Sequence, residues 1–382
     1  MSSLPTIAVV LPNHNGKHHL DPCLRSLASA DYPKNLRTIV VVDNGSVDGS
    51  ADHLKQHHPD VVVKRNRGNL GFSAACNGGA ELAADAKILV FLNNDMRVEP
   101  AFLRELVAPI AEGRADCTGG KILSWDGTQI DYAGGGMAFH GIGFQRGYQE
   151  NPAPSFDREI PTLFACGGAM AIDRALFESA GRFDEDFFAY YEDADLGWRL
   201  WVLGKQVLYV PKAVSFHHHS ATARTFPPES LRMLQVRNPL LTIFKNYGDD
   251  FVERALGAAL LLAATRAVEI GGIDTAAFRI APTASRKIGG MREVIVKAQR
   301  RLGRKLAVSK MTLADLVAIA DVARLLPRFA EKRREIQGRR RRSDADIAPL
   351  FLNPHWCVEP RKGFADLQRA IEEFFRIGEL FH

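Results

Sequence analysis

The 382-residue chain lacks a long apolar run, and the longest one, residues 255–265, is far shorter than the roughly 20 residues of a membrane-spanning helix. The apolar run near the N-terminus follows no basic segment, so we expect no signal peptide. The five cysteines are scattered and form no C-x-x-C pair, which argues against a zinc site. This cysteine usage is typical of reduced thiols in the cytoplasm.

Two phosphate-binding motifs are also missing. No G-x-G-x-x-G follows the first apolar run, and no G-x-x-x-x-G-K-[ST] occurs anywhere in the chain. A dinucleotide-binding fold and a P-loop kinase are therefore disfavoured. The chain has no zinc-finger or RNA-recognition pattern either, so we expect no nucleic-acid partner.

The net charge of +5 conceals a strong asymmetry between the two parts of the chain. Residues 1–219 carry 20 Lys and Arg against 26 Asp and Glu, whereas residues 220–382 carry 29 against 18. Such a split is typical of a basic surface that meets an anionic partner. A solvated basic helical bundle is the alternative.

Short apolar runs alternate with helical patterns through the first hundred residues. The predicted strands are Ile7–Pro12, Thr38–Val42, Val61–Val63 and Ile88–Leu92, and the predicted helices are His19–Ala30 and Ala74–Ala84. Continuous apolar strands joined through helices predict an α/β fold with a mainly parallel central sheet.

The pattern of the sequence changes after the first hundred residues. Gly119–Ile160 is rich in glycine and predicts short strands and a loop, followed by strands at Thr162–Ile172 and Gln206–Val210 that flank an acidic helix, Asp184–Leu203. Beyond residue 228 the predicted elements are helices: Leu231–Tyr247, Asp250–Ile270, Ser285–Leu306 and Leu313–Ile336. We therefore divide the chain into an α/β catalytic domain, 1–228, and a basic helical region, 229–382.

Polar residues end three of the predicted strands, at Asn13–Gly16, Asp43–Ser46 and Asn93–Asp95. Ligands of open parallel sheets bind in the crevice beyond the carboxyl ends of the strands. A strand-end Asp can accept hydrogen bonds from a base or ribose, and the acid of Asn93–Asp95 could hold a divalent cation that bridges phosphate oxygens. Ordinary turn chemistry is the alternative at these positions.

Acidic residues crowd among aromatic ones between Phe183 and Trp198. Crowded carboxylates raise some of their pKa values, which suits a general base that works near neutral pH. Helical spacing predicts that Glu192 and Asp195 share one face and that Asp193 points elsewhere. A solvated acidic surface helix is the alternative.

Three histidines, His217, His218 and His219, follow the last predicted strand after a short loop. Neighbouring side chains diverge in any regular conformation, so at most one of the three can face a given metal ion. A structural or surface role is the alternative for the tract.

Five segments resemble, in this order, the signature of glycosyltransferase family 2: LPNHNG, VVDNGSVDGS, NRGNLGFSAACNGG, FLNNDM and GRFDEDFFAYYEDADLGWRL. The subgroup that they resemble most is the rhamnosyltransferase-like enzymes of cell-wall and surface-polysaccharide assembly. The resemblance covers about residues 5–247. It implies a GT-A fold, a nucleotide-diphosphate sugar donor, a divalent cation (Mg²⁺ or Mn²⁺) and inversion at the anomeric carbon.

The resemblance also implies roles for individual residues. Asp193 stands at the position of the general base beside Glu192, and Asp95 and His217 stand at metal-binding positions. The donor-binding positions are Pro12, Asn15, Asp43, Asn69, Asn77, Asn93, Asn94, Gly167 and Gly168. The D-x-D position reads Asn93-Asn94-Asp95, so only its last residue is a carboxylate. Arg237-Asn238 resembles a subgroup feature to which the sequence assigns no role.

The acceptor implied by the resemblance is a hydroxyl of a glycan or a lipid-linked sugar. Ser285–Lys310 carries nine bases against one acid, and such a segment would hold a cytoplasmic enzyme on the anionic inner face of the membrane. Homo-oligomerisation through these helices is the alternative. Two other functions are a catalytically degenerate binding or scaffold protein, and a nucleotidyltransferase, whose Gly-rich, lysine-bearing first loop is missing.

Overall fold

The computed structural model of the chain describes residues 4–218, 226–273, 309–359 and 363–381. Two predictions concern residues outside these ranges: the helix at Ser285–Leu306 and the role of His219.

Strands and helices alternate through the first 120 residues. The described strands are β1 (Ile7–Asn13), β2 (Arg37–Asn44), β3 (Val62–Asn66), β4 (Ile88–Leu92), β5 (Met96–Val98), β6 (Cys117–Ser124), β7 (Ile130–Tyr132), β8 (Gly135–Met137), β9 (Gly143–Gln145), β10 (Ile160–Pro161), β11 (Ala169–Asp173) and β12 (Val207–His217). The described helices are α1 (Lys17–Ala28), α2 (Ser50–His57), α3 (Phe72–Leu82), α4 (Phe102–Ala111), α5 (Arg174–Ser179), α6 (Glu192–Val202), α7 (Pro228–Asn246), α8 (Asp249–Ile270), α9 (Lys310–Gly338), α10 (Asp344–Ile347) and α11 (Phe364–Phe374).

A mixed, mostly parallel sheet forms the centre of the molecule. Its strand order is β10-β12-β6-β11-β4-β1-β2-β3, with β5 and β7 paired to β12 and β6. Along this order β1, β2, β3 and β4 are parallel, β11 is antiparallel to both of its neighbours, and β12 runs parallel to β6. The predicted α/β fold with a mainly parallel sheet is confirmed.

Helices cover the sheet because its central strands are apolar on both faces. All five residues of β4 are buried, and α1 buries the predicted face of Leu20, Cys23, Leu24 and Leu27. Helix α3 packs especially close, because a Cβ atom at Gly79 would lie 2.4 Å from Val10 Cγ1. Glycine is therefore required at this point of contact.

Three predicted elements are wrong in extent. Only Ala169–Ile172 of the predicted strand Thr162–Ile172 lies in a strand, and the residues before it form a loop. The strand predicted at Gln206–Val210 continues to His217 as β12, so no loop separates it from the first histidine. The predicted acidic helix is split into a 3₁₀ turn, Glu185–Phe187, and helix α6. Between them the backbone is left-handed at three aromatic residues, Phe188, Tyr190 and Tyr191, with φ of 64°, 66° and 73°. Positive φ cannot continue a right-handed helix.

The described residues beyond 228 contain helices and no strand, as predicted. Helix α7 connects to α9 through the ion pair of Arg232 with Asp315, whose closest atoms are 2.5 Å apart. Arg333 of α9 donates to the carbonyls of Phe244 and Tyr247 at the end of α7. Within the described part of the chain, every helix is too short or too polar to cross a bilayer. The division at residue 228 stays a prediction.

Candidate functional site

A cleft of about 500 Å³ opens at the carboxyl ends of β1, β2 and β4. This volume lies within the range typical of small-molecule sites. Residues of strands or of the turns at their ends line one part of the cleft: Pro12, Asn13, His14, Asn44, Asn93, Asn94, Asp95, Asp131, Gln145 and His217. The other lining residues are Asn69, Gly71, Phe72, Cys166, Gly167, Gly168, Phe188, Ala189, Tyr190, Tyr191, Glu192, Asp193, Phe226, Leu231 and Gln235.

Asp95 and His217 lie in contact within the lining of this cleft. Strand β12 pairs with β5 so that His217 lies opposite Met96, next to Asp95 in the chain. His217 Nε2 lies 3.3 Å from Asp95 Oδ1, and His217 Nδ1 donates to Asp131 Oδ2 at 2.6 Å. Sheet pairing thus brings together one imidazole and two carboxylates.

The two carboxylates control the charge of this histidine. Burial works to lower the pKa of His217, but its hydrogen bonds to Asp131 and Asp95 outweigh burial and raise the pKa to about 9. Burial likewise works to raise the pKa of Asp95, and the hydrogen bond from His217 overcomes it and lowers the pKa.

Asp193 lies in the first turn of α6 and lines the same cleft. Its two oxygens accept hydrogen bonds from backbone amides, Oδ2 from Gly167 at 2.8 Å and Oδ1 from Ala194 at 2.7 Å. Burial raises the pKa of Asp193, although these two hydrogen bonds oppose the shift. A fixed carboxylate with a raised pKa is suited to accept a proton near neutral pH.

Glu192 also lines the cleft but is more deeply buried, with 6% of its surface exposed. Burial and the neighbouring charge of Asp193 raise its pKa well above the ordinary value. One of its carboxyl oxygens has no hydrogen-bond partner among the described residues. Burial and the charge of Asp193 raise the pKa of Glu192 further than burial raises that of Asp193, so Asp193 is the carboxyl group that ionises more readily.

The left-handed segment Phe188–Tyr191 leads directly into these two acids and lines the cleft. Aromatic residues at positive φ are rare and cost on the order of 1–3 kcal/mol each. Gly71, with φ of 89°, lies against the segment, and a Cβ atom there would lie 2.4 Å from the carbonyl oxygen of Phe188. The segment is therefore held in a strained conformation by close packing.

Six of the predicted donor-binding residues line the cleft: Pro12, Asn69, Asn93, Asn94, Gly167 and Gly168. Several of them also have partners within the protein. Asn94 donates to Asn13 Oδ1 at 2.6 Å, and the missing side chain of Gly168 leaves room for that of Asn93.

The other three donor-binding candidates lie outside the cleft lining. Asn15 accepts a hydrogen bond from the Val47 amide at 2.8 Å. Asp43 is fully buried at the end of β2, with its Oδ2 3.5 Å from Arg65 Nε. Asn77 binds both backbone groups of Phe183, at 2.9 and 3.2 Å. Their donor-binding roles stay predictions.

The prediction for the face of α6 is wrong. Glu192 and Asp193 both line the cleft, whereas Asp195 is fully buried on the far side and binds Lys245 and Arg199 at 2.7 and 3.0 Å. The helix begins within this acidic run, so its first two residues both reach the cleft from the end of the helix.

Asp131 is the main site residue that sequence reasoning missed. It lies on the short strand β7, within a glycine-rich stretch that has no clear periodicity. Gln235 of α7 was also missed, because its helix lies beyond the five signature segments in the sequence. The structure brings it to the same cleft. No local signal could have revealed either position.

The mostly parallel α/β sheet with a carboxylate- and histidine-lined cleft at its strand ends agrees with the expected GT-A fold. The model of "Glycosyl transferase family 2" matches residues 8–181. The chain is 30% identical over 253 residues to N-acetylglucosaminyl-diphospho-decaprenol L-rhamnosyltransferase of Mycobacterium tuberculosis, which covers 60% of this chain and 80% of that relative. The chain belongs to glycosyltransferase family 2.

Other similarities agree with this assignment. The O-antigen biosynthesis protein RfbC of Myxococcus xanthus is 29% identical over 228 residues, which is 58% of this chain and 18% of that protein. The solved structure of GalNAc-T7 with UDP, GalNAc and Mn²⁺ superposes with a TM-score of 0.55 at 19% identity, covering 78% of this chain and 55% of the other. At this identity the structural likeness shows the fold.

Proposed function

We propose that the protein is a metal-dependent, inverting glycosyltransferase that moves a sugar from a nucleotide-diphosphate donor to a hydroxyl of a glycan or lipid-linked acceptor in cell-surface polysaccharide assembly. The observation that carries the proposal is the presence of Asp193 and the Asp95–His217 pair in one cleft. The mycobacterial relative, named as a rhamnosyltransferase with a diphospho-decaprenol-linked acceptor, supports rhamnose as the transferred sugar and a lipid-linked acceptor.

The proposed reaction is a single displacement. Asp193 takes the proton of the acceptor hydroxyl while that oxygen bonds to the anomeric carbon, and the bond from this carbon to the diphosphate oxygen breaks on the opposite face. The hydrogen bonds from Gly167 and Ala194 hold the carboxylate in place throughout. General-base catalysis of this type typically contributes about 10²–10⁴-fold to the rate.

Asp95 and His217, which line the same cleft, fit a divalent cation. A carboxylate and an imidazole are ligands that Mn²⁺ accepts, and Asp95 and His217 already lie 3.3 Å apart. Asp131 orients the imidazole by accepting a hydrogen bond from its Nδ1, as carboxylates commonly do for metal-bound histidines. A bound cation would neutralise charge on the departing diphosphate. Because Asn93 and Asn94 are uncharged, the site around Asp95 and His217 would carry fewer negative charges than a D-x-D motif provides.

The basic helical region supports a membrane-associated acceptor. Ser285–Lys310 carries nine bases against one acid, and bases near an anionic leaflet contribute about 1 kcal/mol each to binding. We therefore propose peripheral attachment to the inner face of the cytoplasmic membrane.

Substitution of the proposed base is the first test. The Asp193→Asn variant should lose transfer while binding the donor as the wild type does, because the amide keeps the shape of the carboxylate but cannot accept the proton. Transfer and donor binding are measured separately, by product release and by calorimetry. Retained turnover in this variant would contradict the assignment of Asp193.

A panel of nucleotide-diphosphate sugars, each with and without Mn²⁺, tests the donor and the metal. A ligand at about 100 times its Kd stabilises the folded state by about 2.7 kcal/mol, which is measurable as a rise in Tm. We expect one donor to raise Tm only with Mn²⁺, and the Asp95→Asn variant to lose that response. Donor binding without turnover by the wild type would favour the degenerate binding protein instead.

A further inference from the structure

Helix α7 carries a buried asparagine whose side chain faces the strained segment of the cleft. Asn238 is fully buried. Its amide nitrogen donates to the carbonyl oxygens of Phe187 at 3.1 Å, Ala189 at 3.0 Å and Tyr190 at 2.8 Å. The amide group of one side chain is thus shared among three backbone carbonyls, two within the segment Phe188–Tyr191 and one immediately before it.

Arg237 fixes the orientation of that amide. Its Nε donates to Asn238 Oδ1 at 2.9 Å, so the amide group must present its NH₂ to the segment. The guanidinium also donates to the carbonyl of Asp186 at 2.8 Å and pairs with Asp321 of α9 at 3.0 Å. A continuous network therefore runs from α9 through α7 to the backbone of residues 186–190.

The segment needs such support for two reasons. Phe188, Tyr190 and Tyr191 have positive φ, which side-chain-bearing residues adopt at a cost. The carbonyls of a non-helical segment lack the regular partners of a helix, and buried carbonyls without partners are destabilising. Since Glu192 and Asp193 follow immediately, any relaxation of the segment displaces the start of α6.

We propose that Asn238, oriented by Arg237, is a positioning residue for the reaction: it holds residues 187–190 in the conformation that places Asp193 in the cleft. The inference rests on the proposed role of Asp193 as the base. It assigns a function to the Arg237-Asn238 pair, which the sequence left without one, and it makes the helical region a contributor to catalysis.

The Asn238→Asp variant removes the donating group at nearly constant size, because an ionised carboxylate cannot donate a hydrogen bond. Hydrogen–deuterium exchange measures the protection of the amides of residues 188–195. Turnover with the sugar donor identified by the panel measures catalysis. Calorimetry with MnCl₂ measures the metal affinity of the Asp95–His217 pair. We expect faster exchange, a fall in kcat on the order of 10²-fold, and unchanged donor KM and Mn²⁺ affinity.

Thr242→Val is the matched control. Thr242 lies one turn along α7, is equally buried, and its hydroxyl has no hydrogen-bond partner among the described residues. This variant should exchange and turn over as the wild type does. Wild-type exchange in the Asn238→Asp variant, or faster exchange with wild-type kcat, would overturn the proposal.

Asp321→Asn provides a milder variant, in case Asn238→Asp fails to fold. Asp321 is only partly buried and acts on the network through Arg237. We expect a smaller rise in exchange of residues 188–195 and a smaller loss of kcat, with unchanged Tm; unchanged exchange would overturn the proposal. If Asp193→Asn retains turnover, the proposed base is wrong, whereas the exchange results still decide whether Asn238 holds the segment.

Discussion

Lys245 is one of the most deeply buried charges in the described part of the protein, with 2% of its surface exposed. Its ammonium group lies 2.7 Å from both Asp184 and Asp195, which flank the strained segment on either side. Burial works to raise the pKa of Asp184, but Lys245 and Lys332 overcome it and hold the pKa well below its usual range. The lysine therefore neutralises the carboxylates on which the position of α6 depends.

Replacing Lys245 should destabilise the protein strongly. The Lys245→Met variant keeps the length of the side chain but removes the ammonium group that Asp184 and Asp195 share, so each buried carboxylate loses one of its two cationic partners. Breaking a buried ion pair typically costs about 3–5 kcal/mol. Urea unfolding at neutral pH measures this loss. In the Lys205→Met control the cation is lost from a partly exposed pair with Asp116, so the expected change is about 0–1 kcal/mol. Equal losses in both variants would contradict the prediction.

The difference between wild type and Lys245→Met should also depend on pH. Because the folded-state pKa of Asp184 is lowered, its paired carboxylate contributes stability above the unfolded pKa of about 3.9 and loses it as the pH falls further. Unfolding curves measured down to pH 2 should therefore show a constant difference between the two proteins above about pH 4 and a shrinking difference below it. If the difference in free energy of unfolding grows in acid, the pairing of Lys245 with Asp184 is not its cause.

At the scale of elements, α9 holds α7 and the strained segment together. Phe329 is fully buried, and its ring meets that of Phe187 edge to face at 6.0 Å. Lys332, one turn later, pairs with Asp184 and lies over the Phe329 ring. Although α9 lies more than 100 residues after this segment in the sequence, it packs into the same core.

Removing the Phe329 ring should therefore lower the stability of the whole protein. Phe→Ala in a core typically costs about 3–5 kcal/mol, and we expect Phe329→Ala to lower Tm by several degrees in calorimetry. Phe374→Ala is the matched control, since that ring is 80% exposed and should change stability by about 0.5 kcal/mol or less. A wild-type Tm in Phe329→Ala would mean that α9 is not part of the cooperative fold.

At the scale of the whole molecule, the uneven charge has a structural counterpart. The acidic part of the chain holds the carboxylates of the cleft, whereas the basic excess follows it in the sequence. Beside the basic segment, the first turns of α9 expose Leu313, Leu316 and Val317 by 48%, 49% and 57%. Their spacing places them on one face of the helix. Apolar residues next to a basic segment suit an anionic membrane surface.

The membrane proposal predicts binding to anionic but not to neutral vesicles. Co-sedimentation with phosphatidylglycerol vesicles should be strong at low salt and weak at high salt, because counterions screen the attraction. Replacing Arg300, Arg301, Arg304 and Lys305 with serine should abolish binding, whereas replacing the bases Lys34, Arg67 and Lys87 of the acidic part should not. Absence of vesicle binding at low salt would contradict the proposal, and concentration-dependent dimers in that case would favour oligomerisation.

The sequence by itself determined the order and type of most elements. The apolar runs that became β1 and β4 are buried on both faces, as is Val40–Val42 of β2, and the Leu20–Leu27 face of α1 is buried as its period predicted. Burial over a few neighbouring residues leaves a periodic trace in the sequence. The polar strand ends followed from the same reasoning, because parallel strands end at the same edge of a sheet.

Only the tertiary structure decided which distant residues meet. Asp131 and His217 are 86 residues apart, Asn238 and Phe187 are 51 apart, and the contacts of α9 with the site span more than 140. The left-handed backbone of Phe188–Tyr191 contradicts the helical pattern of its own sequence and persists because α7 binds its carbonyls. Local propensity is worth tenths of a kcal/mol per residue, so such long-range hydrogen bonds and ion pairs override it. These contacts leave no periodic trace in the sequence.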